Sequence, residues 1–300
     1  MSTSHRPPAT GQRALTVTEP GTLLAYLLEH VPGKGRNKVK ALLTHRQVAV
    51  DGVIVTRHDH PLTAGQEVSI RDAGGGSADA LRGIRILHED ADLIVIDKPP
   101  GLLSIATEEE RERTAYHVMT DHVQKAHPRN RVFIVHRLDK ETSGVMMFAK
   151  SEAVQQALQN TWKDTVLERV YTVVVEGRLA KPEGTITSWL KESQTRTMYV
   201  STRPGDGLKA VTRYRVMQVG NTCSLLEVHL ETGRKNQIRV QMQSIGHSVV
   251  GDTRYGSKTN PLGRLGLHAS ILSFRHPVGG ETLRFDTGIP ASFRAAVHRS

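Results

Sequence analysis

The chain has 300 residues, enough for one large domain and a small companion, and its apolar content is that of an ordinary globular protein. A formal net charge of +10 and a pI near 9.9 favour an anionic partner, nucleic acid being the commonest. A single cysteine, Cys223, excludes an internal disulfide and suits a reducing compartment, and no apolar stretch approaches membrane-spanning length.

In chain order, residues 1–19 are polar and Pro-containing and read as a disordered tail with no apolar leader core. Residues 20–71 form a module. Leu23, Leu24, Leu27 and Leu28 recur at helical spacing; Val39, Leu42 and Leu43 begin a second helix after a Pro-Gly loop. Val48 to Val55 reads as two strands about an Asp-Gly turn, and residues 62–70 add another turn and strand. Lys34, Arg36, Lys38 and Lys40 cluster with no acid among them, a pattern suited to phosphate. The alternative is a solvated basic face. Residues 72–83, rich in Gly and Ser, read as a flexible linker.

Residues 84–300 form the large domain. Ile84 to Ile86 and Leu93 to Ile96 are short strands, the second stopped by Pro99-Pro100-Gly101; residues 116–123 fit a helix. Val132 to Val135 reads as a buried strand, followed by His136-Arg137-Leu138-Asp139-Lys140-Glu141-Thr142-Ser143-Gly144 and a second apolar run, Val145 to Phe148. Ser151 caps a helix with an apolar side of Val154, Ala157, Leu158 and Trp162. The β-branched run Val170 to Val175 is a buried strand, Leu225 to Leu230 a half-buried one, and residues 238–246 a helix. Strands outnumber helices without regular alternation, which gives an α+β class with a mixed, largely antiparallel sheet and flanking helices.

Asp139 falls in the loop between two apolar runs, where side chains are presented rather than packed. It stands between Arg137 and Lys140, and opposite charge favours the ionised form of a carboxylate. Such a group serves as nucleophile or base. A salt-bridged turn is the plainer reading of those residues alone. His58-Asp59-His60 has too few donors for a metal site, so no metal is expected.

The run His136-Arg137-Leu138-Asp139 followed by Glu141-Thr142-Ser143-Gly144 resembles the catalytic signature of RluA-type RNA pseudouridine synthases. Leu93 to Gly101, Arg169 to Gly177, Thr232 to Arg239, Gly251 to Gly256, Leu267-His268-Ala269, Phe274 to Pro277 and Pro290 to Phe293 resemble further family segments in the same order, over roughly residues 85–295. Asn236 stands where the family usually has histidine, and Ser248 where it has proline.

The resemblance implies a bent mixed sheet with a central cleft, and conversion of uridine to pseudouridine without a cofactor. It makes Asp139 the initiating carboxylate, Arg239 the cation that orients it, and Tyr171 the ring beneath the uracil. Arg137 would fill the gap left by an extruded nucleotide, with His136, Leu138 and Ile238 lining the substrate site. His136 itself reads as a structural turn residue, and His268 and His276 as local hydrogen-bonding groups. Attack on the sugar, attack on the base and removal of the C2′ proton all remain open to Asp139. The small module resembles the alpha-L RNA-binding domain, with Gly35 in place of its usual serine. Together these imply a cytoplasmic, monomeric enzyme whose partner is RNA, most naturally large-subunit ribosomal RNA. Transfer RNA, or a non-catalytic role in ribosome assembly, are the alternatives.

Overall fold

The computed structural model describes residues 12–31, 35–44, 48–71, 81–108, 110 and 112–299. Two compact units divide between Ala80 and Leu81.

In the first unit, strands β1 (Gln12–Thr16), β3 (Val48–Val50), β4 (Val53–Ile54) and β6 (Glu67–Arg71) form a sheet in the order β1-β6-β3-β4. Strands β2 (Gly21–Thr22) and β5 (Pro61–Leu62) pair separately. Helices α1 (Leu23–His30) and α2 (Arg36–Thr44) cover a core that includes Leu23, Leu27, Val39, Leu43, Val48 and Val68. Asp51 and Gly52 both take positive φ, 48° and 79°, which turns β3 into β4 as the Asp-Gly pair predicts.

One expectation fails here. Residues 12–16 lie in the stretch read as a disordered tail, yet they pair along β6 from Gln12↔Arg71 to Thr16↔Glu67. Val17 behind them is fully buried. Without this strand the edge of β6 would present unpaired backbone groups. The signal is short, and Arg13 and Thr16 mask it. Lys34 and residues 72–80 of the expected linker lie outside the described residues, as does the side chain of Lys38.

The second unit is built on one large mixed sheet. Its strands, with intervening helices, are β7 (Arg85–Glu89), β8 (Leu93–Lys98), α3 (Ala115–Gln124), β9 (Phe133–Ile134), β10 (Ser143–Ala149), α4 (Glu152–Asn160), α5 (Trp162–Thr165) and β11 (Val166–Glu176). There follow β12 (Glu183–Glu192), β13 (Met198–Val200), β14 (Leu208–Val219), β15 (Cys223–Leu230), α6 (Gln237–Ser244), β16 (Leu267–Arg275), β17 (Thr282–Asp286) and α7 (Ala291–Arg299). The order is β13-β12-β14-β15-β11-β16-β10-β8-β7, with β17 beside β16 and β9 beside β10. The pairing of β10 with β16 is parallel; the other paired strands run antiparallel.

Alternate residues of a strand face opposite sides. On β8 and β10, Ile94, Ile96, Met146 and Phe148 enter one apolar cluster, whereas Leu93, Val95, Val145 and Met147 enter another. Both faces are therefore covered, which explains the unbroken apolar runs. The same applies to β15, where Leu226 and Val228 face one cluster and Cys223 and Leu225 a second. Within Leu225 to Leu230, Leu226 and Val228 are buried while Glu227 is partly open and His229 exposed, as its alternation suggests; burial on both sides is confined to the start of the strand, Cys223 to Leu226. Ser151 caps α4 by accepting from the Val154 N–H at 3.2 Å, while Val154 and Leu158 are its buried side. Ala157 is exposed, and Trp162 belongs to the separate turn α5.

Candidate active site

The loop between β9 and β10 carries the signature residues, and almost every one is tied down. Nε2 of His136 accepts from the Met147 N–H at 3.1 Å, fixing the start of the loop to β10. Burial, aided by nearby Arg169, pushes His136 down to about 4, so it is a neutral structural acceptor at pH 7. Leu138 packs in the core, and the Ser104 hydroxyl clamps both of its backbone groups, donating to its carbonyl at 2.6 Å and accepting its N–H at 3.1 Å. The Lys140 carbonyl accepts from Gly101 N–H and from Nζ of Lys98.

Lys98 is fully buried and also donates to the carbonyls of Pro99 (2.9 Å) and Leu102 (2.8 Å). Desolvation lowers it to about 8, with Glu141 and Asp139 opposing the shift. It staples the end of β8 to the catalytic loop. The sequence marks this lysine by its place at the end of an apolar strand before Pro-Pro-Gly, within the family-like segment Leu93 to Gly101, but assigns it no role.

Gly144 ends the loop for a steric reason. Its φ is +114°, and a Cβ there would lie 2.1 Å from the carbonyl oxygen of Ala269 on β16. The parallel contact of β10 with β16 begins at Ser143↔His268 and Gly144↔Ala269, and only a residue without a side chain permits it. Ser143 Oγ bonds the His268 ring at 2.8 Å and accepts from Arg264 at 2.8 Å.

Asp139 itself is presented rather than buried. Its carboxylate accepts from Nη1 of Arg239 at 3.0 Å. Arg239, on the first turn of α6, is gripped from behind by Asp252: Nε to Oδ2 at 2.6 Å and Nη2 to Oδ1 at 2.9 Å. The side chain of Asp252 is 1% exposed and that of Asp139 28%, so the two carboxylates differ in role. Asp252 is an anchor, and Asp139 faces the cleft. Hydrogen bonds and charge from Asp252, with Asp139, raise Arg239 against the desolvation that opposes them, so it stays cationic. Its guanidinium also lies 4.9 Å from the centre of the Tyr255 ring.

Asn236, the family departure, precedes α6 with φ of +53°, a conformation asparagine tolerates. Its Oδ1 accepts from Arg239 Nη1 at 3.1 Å and its Nδ2 donates to the Tyr255 hydroxyl at 3.0 Å. The other departure, Ser248, donates to the Tyr255 carbonyl at 2.8 Å. Gln237 is buried and knits the preceding loop, accepting from Thr232 Oγ1 and Arg234 N–H and donating to Val211 and Thr212.

Tyr171 enters from β11, separated from β10 by β16. Burial, with Asp139 nearby and Arg169 opposing, raises its phenol to about 12, so the hydroxyl keeps its proton at neutral pH. Arg137, Leu138, Asp139, Tyr171, Ile238 and Arg239 all line one cleft of about 80 Å³. Arg137 is exposed. Of the sequence-selected residues, His136 alone plays a supporting part behind this cleft. In the first unit, Arg36 and Lys40 are exposed on α2. Asp252 went unassigned in the sequence because an acid beside glycine is indistinguishable from a turn residue until Arg239 is placed against it.

Asp90, Asp92 and His276 place potential metal-ligand atoms within 4.8 Å of one another. Nδ1 of His276 accepts the Gly279 N–H at 2.9 Å, and its Nε2, 3.3 Å from an Asp90 oxygen, is buried without a hydrogen bond. His88 bonds the same Asp90 oxygen at 2.6 Å, and Asp90 is lowered to about 2, its hydrogen bonds outweighing burial. Asp90 is held by His88 and by the backbone N–H groups of Asp92 and Leu93. Asp59 is paired with Arg57.

The RNA pseudouridylate synthase family profile matches residues 92–244. The chain is 37% identical to an RNA pseudouridine synthase of Bacillus subtilis over 68% of its own length and 72% of the relative's. It is 32% identical to ribosomal large subunit pseudouridine synthase D of Vibrio cholerae, covering 85% of this chain and 83% of that one. Among solved structures, human RNA pseudouridylate synthase domain containing 4 superposes with a TM-score of 0.60 at 24% identity, over 74% of this chain and 95% of that one, a likeness of fold.

Proposed function

We propose, from the premise that the chain belongs to the RNA pseudouridylate synthase family and makes pseudouridine in RNA, that its substrate is large-subunit ribosomal RNA and that Asp139 initiates the reaction. The observation that carries the mechanistic reading is the ion chain Asp139–Arg239–Asp252, buried at one end and open to the cleft at the other. Isomerisation breaks the bond from N1 of uracil to C1′ of ribose, joins C5 to C1′, and moves the C5 proton to N1. Nothing is oxidised, and no phosphoryl group moves. A carboxylate with a fixed cation beside it is sufficient to begin.

Arg239 holds Asp139 in one orientation, and Asp252 prevents Arg239 from following the substrate. Tyr171 offers a ring face to the detached base and a protonated hydroxyl near C5. Arg137, exposed at the rim, occupies the stack vacated by the target nucleotide, whose extrusion costs a few kcal/mol and less in loop RNA. The ribosomal preference rests on the similarity to synthase D over most of both chains. Residues 20–71 then serve as an RNA-binding domain, with Lys34, Arg36, Lys38 and Lys40 meeting phosphates, in a cytoplasmic monomer.

The test is to incubate the protein separately with ribosomal RNA and transfer RNA that lack pseudouridine, and to map the product by carbodiimide labelling. Modification of the large-subunit RNA, lost on Asp139→Asn, is expected. Modification of transfer RNA alone would move the substrate assignment, and activity that survives in Asp139→Asn would remove the assigned initiator.

A further inference from the structure

A second and larger cavity, about 450 Å³, opens beside the catalytic cleft and shares Leu230 with it. Its walls come from the turn α5 and from the neighbouring stretches of β11, β14 and β15. The catalytic cleft, at about 80 Å³, is small beside the roughly 300–1,000 Å³ of common ligand sites, whereas this cavity falls within that range.

Its lining combines an aromatic ring with positive charge. Trp162 supplies an aromatic face and Lys163 and Arg169 supply positive charge. The carboxylates on its walls are already engaged: Glu231 with Arg213, and Glu168 with Arg284. Among the described residues, neither Lys163 nor Arg169 has a carboxylate within ion-pair distance.

Arg169 is the more informative of the two. It is half-buried, two residues before Tyr171 and so on the same face of β11. Its Nη2 reaches only backbone, the carbonyls of Leu230 and Glu231, both at 3.2 Å. Gly233 makes room for it, since a Cβ there would stand 2.6 Å from Nη1. A guanidinium desolvated without an anion is costly unless a ligand brings one. Burial already lowers its affinity for a proton.

We propose that this cavity binds the nucleotide next to the target uridine in the RNA strand, its phosphate on Arg169 and Lys163 and its base against Trp162. The inference rests on the RNA-modifying reading above. It adds that the enzyme grips a second unstacked residue, so the minimal recognised unit is longer than one nucleotide.

Binding of uridine monophosphate and of the trinucleotide UpUpU to the full-length Asp139→Asn protein tests this, with Trp189 replaced by Phe so that Trp162 alone reports. Expected are a change in Trp162 emission with the trinucleotide only and affinity at least tenfold above the mononucleotide, as one stacked base and one phosphate contact provide. Lys163→Glu, at an exposed position that leaves folding intact, should remove about tenfold of trinucleotide affinity and about one unit of its salt slope, without altering mononucleotide binding. Equal affinities, silent Trp162 or insensitivity to Lys163→Glu would each overturn the proposal. The two readings fail separately. Pseudouridine formation by the protein with Asp139 intact, with KM unchanged by Lys163→Glu, sinks the subsite alone; cavity occupancy by RNA without any pseudouridine product from the protein with Asp139 intact sinks the catalytic assignment alone.

Discussion

The loop at residues 136–144 and the basic helix α2 both bear cations proposed above to meet RNA, but they are built on opposite plans. In the loop, the His136 ring, the backbone of Leu138, the Lys140 carbonyl and the Ser143 hydroxyl are each held by a partner outside the loop, leaving the Asp139 carboxylate and Arg137 to face the cleft. On α2, Val39, Leu42 and Leu43 anchor the helix while Arg36 and Lys40 stand exposed. Bond-making demands atoms fixed to within a fraction of an ångström, and misplacement is punished steeply. Phosphate attraction is long-ranged and tolerant of side-chain motion. The difference teaches which residues can be exchanged.

That contrast can be broken most severely at Gly144. The change Gly144→Ala should cost about 4 kcal/mol or more, within the exceptional range for one substitution, because the added carbon meets backbone and the strained φ compounds it. Urea unfolding measures it; a loss below about 1 kcal/mol would mean that β10 and β16 separate easily.

Next in size is Asp252→Asn. The amide keeps the shape but loses the charge and half of the two-pronged grip on Arg239. Turnover should fall about a hundredfold with KM nearly unchanged, a loss confined to the transition state. An equal rise in KM would place Asp252 in RNA binding instead. Tyr171→Phe should likewise retain RNA affinity while turnover drops about tenfold or more, as measured by parallel binding and single-turnover assays.

A smaller effect concerns pH. Burial pushes His268 down to about 4 from its ordinary 6.5. Between those values the unfolded chain binds a proton that the native state refuses, so stability falls as pH drops from 6.5 towards 4, at about 1.4 kcal/mol per pH unit for that group. His268→Gln should remove that increment from the slope, seen by comparing denaturant midpoints of variant and parent at pH 4.5 and 6.5. Parallel curves would mean that the native histidine titrates normally.

The smallest change is expected on α2. Arg36→Glu should weaken RNA binding several-fold and flatten its salt slope by about one unit, while thermal stability and the turnover of bound RNA stay unchanged. A loss of turnover with intact affinity would make the helix part of the catalytic apparatus and erase the contrast between the two regions.

The alternation of apolar residues, the Asp51-Gly52 turn and the Ser151 cap fixed most elements locally, because dihedral preference and side-chain period act over a few residues. The family resemblance also singled out Asp139, Tyr171 and Arg239, and the fold brings all three to one cleft. Tertiary structure alone decided what holds them. Asp252 behind Arg239, Lys98 beneath the loop, Ser104 around Leu138 and β1 along β6 are pairings between distant segments, and no local periodicity encodes a partner that only folding brings near. The absent Cβ of Gly144 makes the same point: glycine was legible as a turn residue, but the carbonyl of Ala269 that forbids any other choice belongs to a strand 125 positions later.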